Sequence, residues 1–369
     1  MKIPYVDLPK QYKNERREIL SIIDNVFKTG QYVGGEKVKN FENNISSLLG
    51  VKHCIALNSG TDALTLGLHV LGVKRNDEVI TTSNSFIAST AVIVHLGAKP
   101  VFVDVKSDQC INPELIEKSI TKKTRAIMAV HLTGRVCDMD KILKISKKYN
   151  IPIIEDAAQA IGSKYGKRYA GTFGKIACFS AHPLKNLNAM GDGGYLTTNS
   201  SKIAKFIKDV RNHGMTNRNK VTNFGYVSRM DNVQAAILNY RLKKLPGIIK
   251  KRRKNIEIYL KNLNSKFVFI PKENKKEFNT YHTFVVQVSN RDNLKKYLKK
   301  KGIETAIHYP IPIHLQPALK KYSYSFEHLP ETIRQAKRII TLPINQYLKN
   351  FEIRRICKEI NNFYENKKN

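Results

Sequence analysis

The chain has 369 residues, 41% of them hydrophobic, with 64 lysines and arginines against 30 acids and a net charge of +34. Its length exceeds what one hydrophobic core usually fills, and no apolar run approaches the ~20 residues of a membrane span, so a two-domain globular protein without membrane segments is expected. The charge favours anionic partners, yet the lysines are spread along the whole chain. The densest run, Lys250-Lys-Arg-Arg-Lys254, lacks the interleaved aromatics of a single-strand binder, which makes nucleic acid an unfavoured partner.

The start, Met1-Lys-Ile-Pro-Tyr-Val-Asp, has no signal-peptide apolar core. Five scattered cysteines without C-x-x-C spacing argue against a disulfide framework or a zinc site and for a reducing cytoplasm. Helical spacing of Val38, Phe41, Ile45 and Leu48 ends at Gly50. A short strand, Cys54–Leu57, breaks at Asn58-Ser-Gly-Thr61, and a helix opens at Asp62. Strand, small-residue turn and helix start form a recipe for a phosphate site: Gly60 permits close approach, Thr61 offers a hydroxyl, and the free helix amides face the anion.

Strands 78–82, 100–105 and 126–132 alternate with helices 86–96, 113–120 and 139–149. That rhythm predicts βαβ units and a mostly parallel, doubly covered sheet. Phe86 follows a strand, where an aromatic ring can stack on a flat cofactor or simply fill the core. Ile151-Pro-Ile-Ile then delivers Glu155 and Asp156 at a strand's carboxyl end, where ligands of open α/β sheets sit. Lys185 follows within Phe179-Ser-Ala-His-Pro-Leu-Lys-Asn-Leu187, among small, polar and ring side chains. Taken singly, such an Asp is often a helix cap and such a Lys a solvated charge. Together they suggest pyridoxal phosphate (PLP) chemistry, with the lysine as Schiff-base amine and the carboxylate on the pyridine nitrogen.

Beyond Gly194 the pattern changes to amphipathic helices 203–212, 231–244 and 248–263. Strands 282–288 and 304–308 flank a lysine-rich helix, and helices 331–340 and 351–364 close the chain. This reads as a large domain over 1–244 and a smaller α+β domain over 245–369.

With these motifs in place, the sequence strongly resembles the DegT/DnrJ/EryC1/StrS sugar aminotransferases of PLP fold type I. The resemblance rests on Asn58-Ser-Gly-Thr-Asp-Ala-Leu64, Glu155-Asp-Ala-Ala-Gln-Ala160, His182-Pro-Leu-Lys-Asn-Leu187 and Gly191-Asp-Gly-Gly194. Arg211-Asn-His-Gly214, Ser228-Arg-Met-Asp231 and the Gly302 to His314 motif add to it. It implies an α/β fold whose large domain carries a mostly parallel seven-stranded sheet. It implies Lys185 as the Schiff-base lysine, Asp156 on the pyridine nitrogen, and Phe86 and Gln159 against the cofactor ring. Gly60, Thr61 and Ser180 would hold the phosphate, and His308, Tyr309 and His314 would reach the substrate region. Members resemble homodimers with shared active sites, so Arg229 is expected to serve the partner's site. No metal is implied.

The implied reaction moves an amino group from L-glutamate to a keto sugar, mostly a nucleotide-linked one, for surface polysaccharides such as lipopolysaccharide. Lys-Asn-Leu followed by Gly-Asp-Gly-Gly resembles the branch acting at sugar C3. Val227 stands where the family commonly has an asparagine that reaches the partner's cofactor phosphate, which leaves open an acidic eight-carbon acceptor, a keto form of 3-deoxy-octulosonate. A rival of another class is a regulator or nucleic-acid binder on the same fold, motivated by the charge alone.

Overall fold

The computed structural model describes residues 2–322 and 328–366. The first helix, α1 (Leu8–Phe27), is capped by the Asp7 carboxylate, which accepts from the amide of Lys10 at 3.0 Å. Helix α2 (Glu36–Leu49) ends at Gly50 in the left-handed conformation, φ 69°, a backbone state that glycine adopts without a Cβ clash. Then follow β1 (His53–Leu57), α3 (Gly60–Val70), β2 (Glu78–Thr82), α4 (Ala88–His95), β3 (Lys99–Val103), α5 (Pro113–Ile116), β4 (Thr124–Val130), α6 (Met139–Tyr149) and β5 (Ile153–Asp156). Short strands β6 (Lys164–Tyr165) and β7 (Arg168–Tyr169) precede β8 (Ile176–Ser180) and β9 (Gly194–Thr198).

Seven of these strands form one sheet in the order β1-β9-β8-β5-β4-β2-β3. Strand β9 runs antiparallel to both β1 and β8, while every other neighbouring pair is parallel. Helices cover both faces, so strand side chains of either direction are apolar. Along β4, Ile127 and Ala129 enter one core while Ala126 and Met128 enter the other. Burying an aliphatic side chain of this size contributes about 1.5–3 kcal/mol, which is why the strands read as near-continuous apolar runs.

After α7 (Ser201–Val210) and the small hairpin β10 (Met215–Asn217) and β11 (Lys220–Val221), helix α8 (Asn232–Asn262) carries the chain away from the sheet. The rest comprises β12 (Val268–Phe269), β13 (Glu277–Phe278), β14 (Phe284–Val288), α9 (Arg291–Lys300), α10 (Pro330–Arg338), β15 (Ile339–Leu342) and α11 (Asn350–Glu365). Strands β12-β14-β15 form an antiparallel sheet over a separate core that includes Tyr259, Val286, Leu294, Ile340 and Ile356. Ile3 joins this core from the other end of the chain, bridged to Ile303.

Four expectations need correction. The helix expected over 331–340 stops at Arg338, because Ile339–Leu342 pair with β14 as strand β15. Helices 231–244 and 248–263 are one helix, with Pro246 inside it. Its buried stripe, Leu238, Leu245, Ile249, Ile256 and Tyr259, continues past the proline, and that packing outweighs the hydrogen bond the proline cannot make. No strand forms over 304–308, where Ala306 makes a single isolated bridge, to Thr341, and Ile303 just before it makes another, to Ile3. Thr341 already pairs with Val285 in the sheet, so Ala306 meets only the outer side of β15. Finally, Phe86 precedes helix α4 rather than opening it, since the helix starts at Ala88.

Candidate active site

The carboxyl ends of β1, β2, β4, β5 and β8 open into one cavity of about 440 Å³, against which the β14 side of the molecule closes. Gly60, Thr61, Phe86, Asp156, Gln159, Ser180, Lys185, His308 and Tyr309 all line it. Two expected residues do not. His314 packs behind the loop after β2: its amide donates to Ser83 Oγ at 3.0 Å, and that hydroxyl returns a bond to His314 Nδ1 at 2.6 Å. The backbone amide and Nδ1 of His314 thereby brace this loop. Arg229 lines a separate cavity with Lys208, Arg211 and Asn212, and its Nη1 donates to Asn212 Oδ1 at 3.0 Å.

Glycines set the floor by letting backbone meet backbone. A Cβ on Gly194 would lie 2.2 Å from the carbonyl carbon of Ser59, and one on Gly60 would lie 2.7 Å from Ser180 Cβ. The turn before α3 is therefore pressed onto β8 and β9. Ser59 caps the helix by accepting from the amide of Asp62 at 3.0 Å. The amides of Gly60 and Thr61 lie before the helical ladder can use them and remain suited to an anion.

The two acids at the end of β5 divide their work. Glu155 is fully buried and accepts from the amides of Gly171, Phe173 and Gly174 at 2.6–2.7 Å. It also accepts from His131 Nε2 at 2.9 Å, while the Cys137 amide donates to Nδ1 of that ring. Glu155 ties the loop after β7 to the sheet. Asp156 faces the cavity, with Oδ2 accepting from Ser89 Oγ at 2.7 Å and Oδ1 from the Ala158 amide at 3.2 Å.

Lys185 is held in a tight turn in which its amide donates to the His182 carbonyl at 2.8 Å. Its ammonium is partly open to the cavity but surrounded by protein. Burial pulls its pKa from 10.5 down to about 8, and the Asp156 carboxylate opposes only part of that shift. The same crowding keeps neighbouring imidazoles neutral. Burial and then Lys185 push His308 down to about 4, and His282 and His182 are lowered for the same reasons. Burial, followed by Asp156, raises the phenol of Tyr309. Gln159 Oε1 accepts from the Thr133 amide at 2.7 Å, which fixes the side chain beside Tyr309. Phe86 is 54% exposed, with its ring 6.1 Å from that of Tyr309.

Several residues that line the cavity or brace it were given no role in the sequence analysis. Ser59 lay inside the Asn-Ser-Gly-Thr motif and could have been read as a helix cap. Ser89 has no local signal, since its role depends on α4 passing Asp156. His282 and Arg252 come from the far domain, and Arg252 is hidden within the basic run.

Residues 13–361 match the model of the DegT/DnrJ/EryC1/StrS aminotransferase family. The chain belongs to this family. It is 37% identical to the pleiotropic regulatory protein of Geobacillus stearothermophilus over 99% of each chain. It is also 37% identical to the dTDP-3-amino-3,6-dideoxy-alpha-D-galactopyranose transaminase of Aneurinibacillus thermoaerophilus, over 98% of this chain and 99% of that one. The S. venezuelae DesV structure in complex with a ketimine intermediate superposes with a TM-score of 0.95 at 34% identity, over 99% of both chains. This DegT/DnrJ/EryC1/StrS member has the fold of PLP fold type I and is a PLP-dependent aminotransferase.

Proposed function

We propose that this aminotransferase moves the amino group of L-glutamate to a nucleotide-linked keto sugar, a 3-keto deoxysugar by preference, in surface-polysaccharide biosynthesis. Glutamate leaves as 2-oxoglutarate, and the sugar's keto oxygen is replaced by the amino group. The observation that carries the reading is Lys185, an amine of lowered pKa sharing one cavity with Asp156 and the α3 amides. The galactopyranose transaminase and the Lys-Asn-Leu, Gly-Asp-Gly-Gly motifs support amination at C3.

The cavity fits PLP. Gly60, Thr61 and Ser180 line one wall of the cavity, where the absence of a Cβ at position 60 lets the turn lie against Ser180, and they offer a phosphate cradle; the exposed Phe86 lines the cavity too. Bound PLP supplies an electron-accepting ring that stabilises negative charge at the donor Cα. Asp156, oriented by Ser89 and Ala158, would hold the pyridine nitrogen, and Gln159, which lines the same cavity, would stand at the ring oxygen. Lys185 Nζ would be the amine that holds the cofactor covalently and, once freed, the base that would carry the proton from the donor Cα. His308 and Tyr309 face the substrate, and the neutral His308 ring, held through Nδ1 by Thr341 at 2.8 Å, adds no charge beside the lysine.

The same reading includes a homodimer. Phe224 is fully exposed and Tyr226 and Val227 are 44% and 55% exposed, an apolar loop suited to a partner subunit beside Arg229. Ser228 Oγ is engaged by Asn58 Oδ1 at 3.2 Å, which leaves the exposed Asn223 as the substitute for the family asparagine replaced by Val227. Mixing inactive Lys185→Ala with impaired Arg229→Ala subunits should restore activity if Arg229 acts in trans. The domain division, 1–244 and 245–369, belongs to the same reading: α8 runs across it, with Leu245 and Ile249 still in the large core and Ile256 and Tyr259 in the small one, which Ile3 also joins. Five buried free cysteines suit a cytoplasmic protein.

A screen of nucleotide-linked keto sugars with L-glutamate, scored by amino-sugar mass, tests the acceptor. The rival regulatory reading draws on the +34 charge and on the name of the Geobacillus relative. A salt-dependent shift of generic DNA without any transamination would favour it.

A further inference from the structure

Four arginines are buried among the described residues, Arg135, Arg241, Arg252 and Arg291, each 4–7% exposed. Three have carboxylates: Glu277 at 2.6 Å from Arg135, Glu15 at 2.9 Å from Arg241 and Asp292 at 2.6 Å from Arg291. Arg252 has no carboxylate within ion-pair distance among the described residues. A buried cation without a counter-ion is costly, so its retention calls for an anion.

The hydrogen bonds of Arg252 show where that anion fits. Nη1 spends both hydrogens on the carbonyls of Tyr281 and His282, at 3.0 and 3.1 Å. Nη2 makes one long contact, 3.4 Å, to Gln346 Oε1, and Nε is buried without a partner. The underused hydrogens, Nε–H and one Nη2–H, share one edge of the planar guanidinium, the spacing that accepts two oxygens of a carboxylate. Arg252 lines the cavity with Lys185 and also a smaller recess that Lys185 and Gln346 share. A donor whose α-amino group must reach Lys185 carries its carboxylates only a few bonds away.

We propose that Arg252 anchors a carboxylate of the acidic amino donor, received side-on by Nε–H and Nη2–H as the Gln346 amide swings aside. The inference rests on the reading of L-glutamate as donor. The neutral His282 and His308 rings then line the pocket without competing for the anion.

The test uses the PLP-loaded enzyme and two readouts: calorimetric binding of glutarate, which cannot react, and steady-state kinetics with L-glutamate. Arg252→Lys keeps the charge but not the fork. Arg252→Lys and Arg252→Gln are each expected to weaken glutarate binding by ~30-fold and to raise KM for glutamate alike. PLP content and KM for the keto sugar should stay within about threefold of wild type. Gln346→Ala, which leaves Arg252 in place, should tighten glutarate by about threefold as the competing acceptor is removed. Unchanged glutarate affinity in a PLP-loaded Arg252 variant overturns the anchor while leaving glutamate as donor. So does a parallel loss of PLP, sugar and glutarate binding, which would mark a purely structural arginine, or a tenfold loss in Gln346→Ala. Wild-type enzyme that neither uses glutamate nor binds glutarate refutes the donor reading itself, and the anchor with it.

Discussion

Ser89 Oγ donates to Asp156 Oδ2 at 2.7 Å, and the same oxygen lies 2.7 Å from Ser85 Oγ. With its one hydrogen committed to the carboxylate, Ser89 must accept from Ser85. A two-hydroxyl chain therefore runs from the loop after β2 to the end of β5, around the backbone that also carries Phe86. The fold thus links Phe86 and Asp156, the residues proposed to cover the cofactor ring and to hold its nitrogen, through one segment.

Ser89→Ala removes a hydrogen bond to a charged group, worth about 1.5–3 kcal/mol, and frees Asp156 to rotate. Turnover is expected to fall ~10–100-fold, while Ser89→Thr retains most activity. Steady-state kcat measurement checks this, and a fall of less than threefold in Ser89→Ala would remove Ser89 from the positioning role.

Lys185→Ala is expected to fold and to bind PLP without covalent attachment, with turnover reduced at least ~10³-fold. Borohydride reduction of the wild-type holoenzyme followed by peptide mapping should place the label on Lys185. A label on any other lysine contradicts the assignment.

Asp156→Asn keeps the shape but supplies an amide that cannot hold the ring nitrogen protonated. The expected loss is ~10²–10⁴-fold in turnover with much of the PLP affinity retained, because the phosphate cradle is untouched. Near-wild-type kcat would return Asp156 to a role in capping the backbone at Ala158.

The lowered pKa of Lys185, about 8, fixes the pH dependence of cofactor capture by the apoenzyme. Only the neutral amine attacks a carbonyl, so the rate of covalent PLP attachment should rise with pH up to about 8 and level off above it. The Lys185 shift also links folding to pH. Between about pH 8 and 10.5 the unfolded chain binds the proton more readily, so apoenzyme stability gained from this group increases with pH across that window. A capture rate still climbing at pH 10 would mean that the lysine is not desolvated.

Much of the site was legible because its residues sit at strand ends. The apolar run before Glu155 and Asp156, and the Asn-Ser-Gly-Thr turn after β1, signal their positions through local sequence alone. The sequence did not separate the acids, since Glu155 earns its structural role from three amides around residues 171–174 that only the folded loop brings near. The position of His314 outside the cavity was not legible, as its place in a motif says nothing about the Ser83 hydroxyl that meets it. Arg252 is indistinguishable from its lysine neighbours until burial and missing carboxylates set it apart. Pro246 looked like a helix end because the long-range packing that carries α8 through it has no local trace.

The central claim is tested most directly by separating the two half-reactions on one sample. L-Glutamate added to the holoenzyme should bleach the visible absorbance of the lysine-bound cofactor and release one 2-oxoglutarate per site. After glutamate is removed, a nucleotide-linked 3-keto sugar should restore that absorbance and yield the amino sugar in equal amount. Bleaching without recovery by any keto sugar, or no bleaching with glutamate at all, would contradict the account.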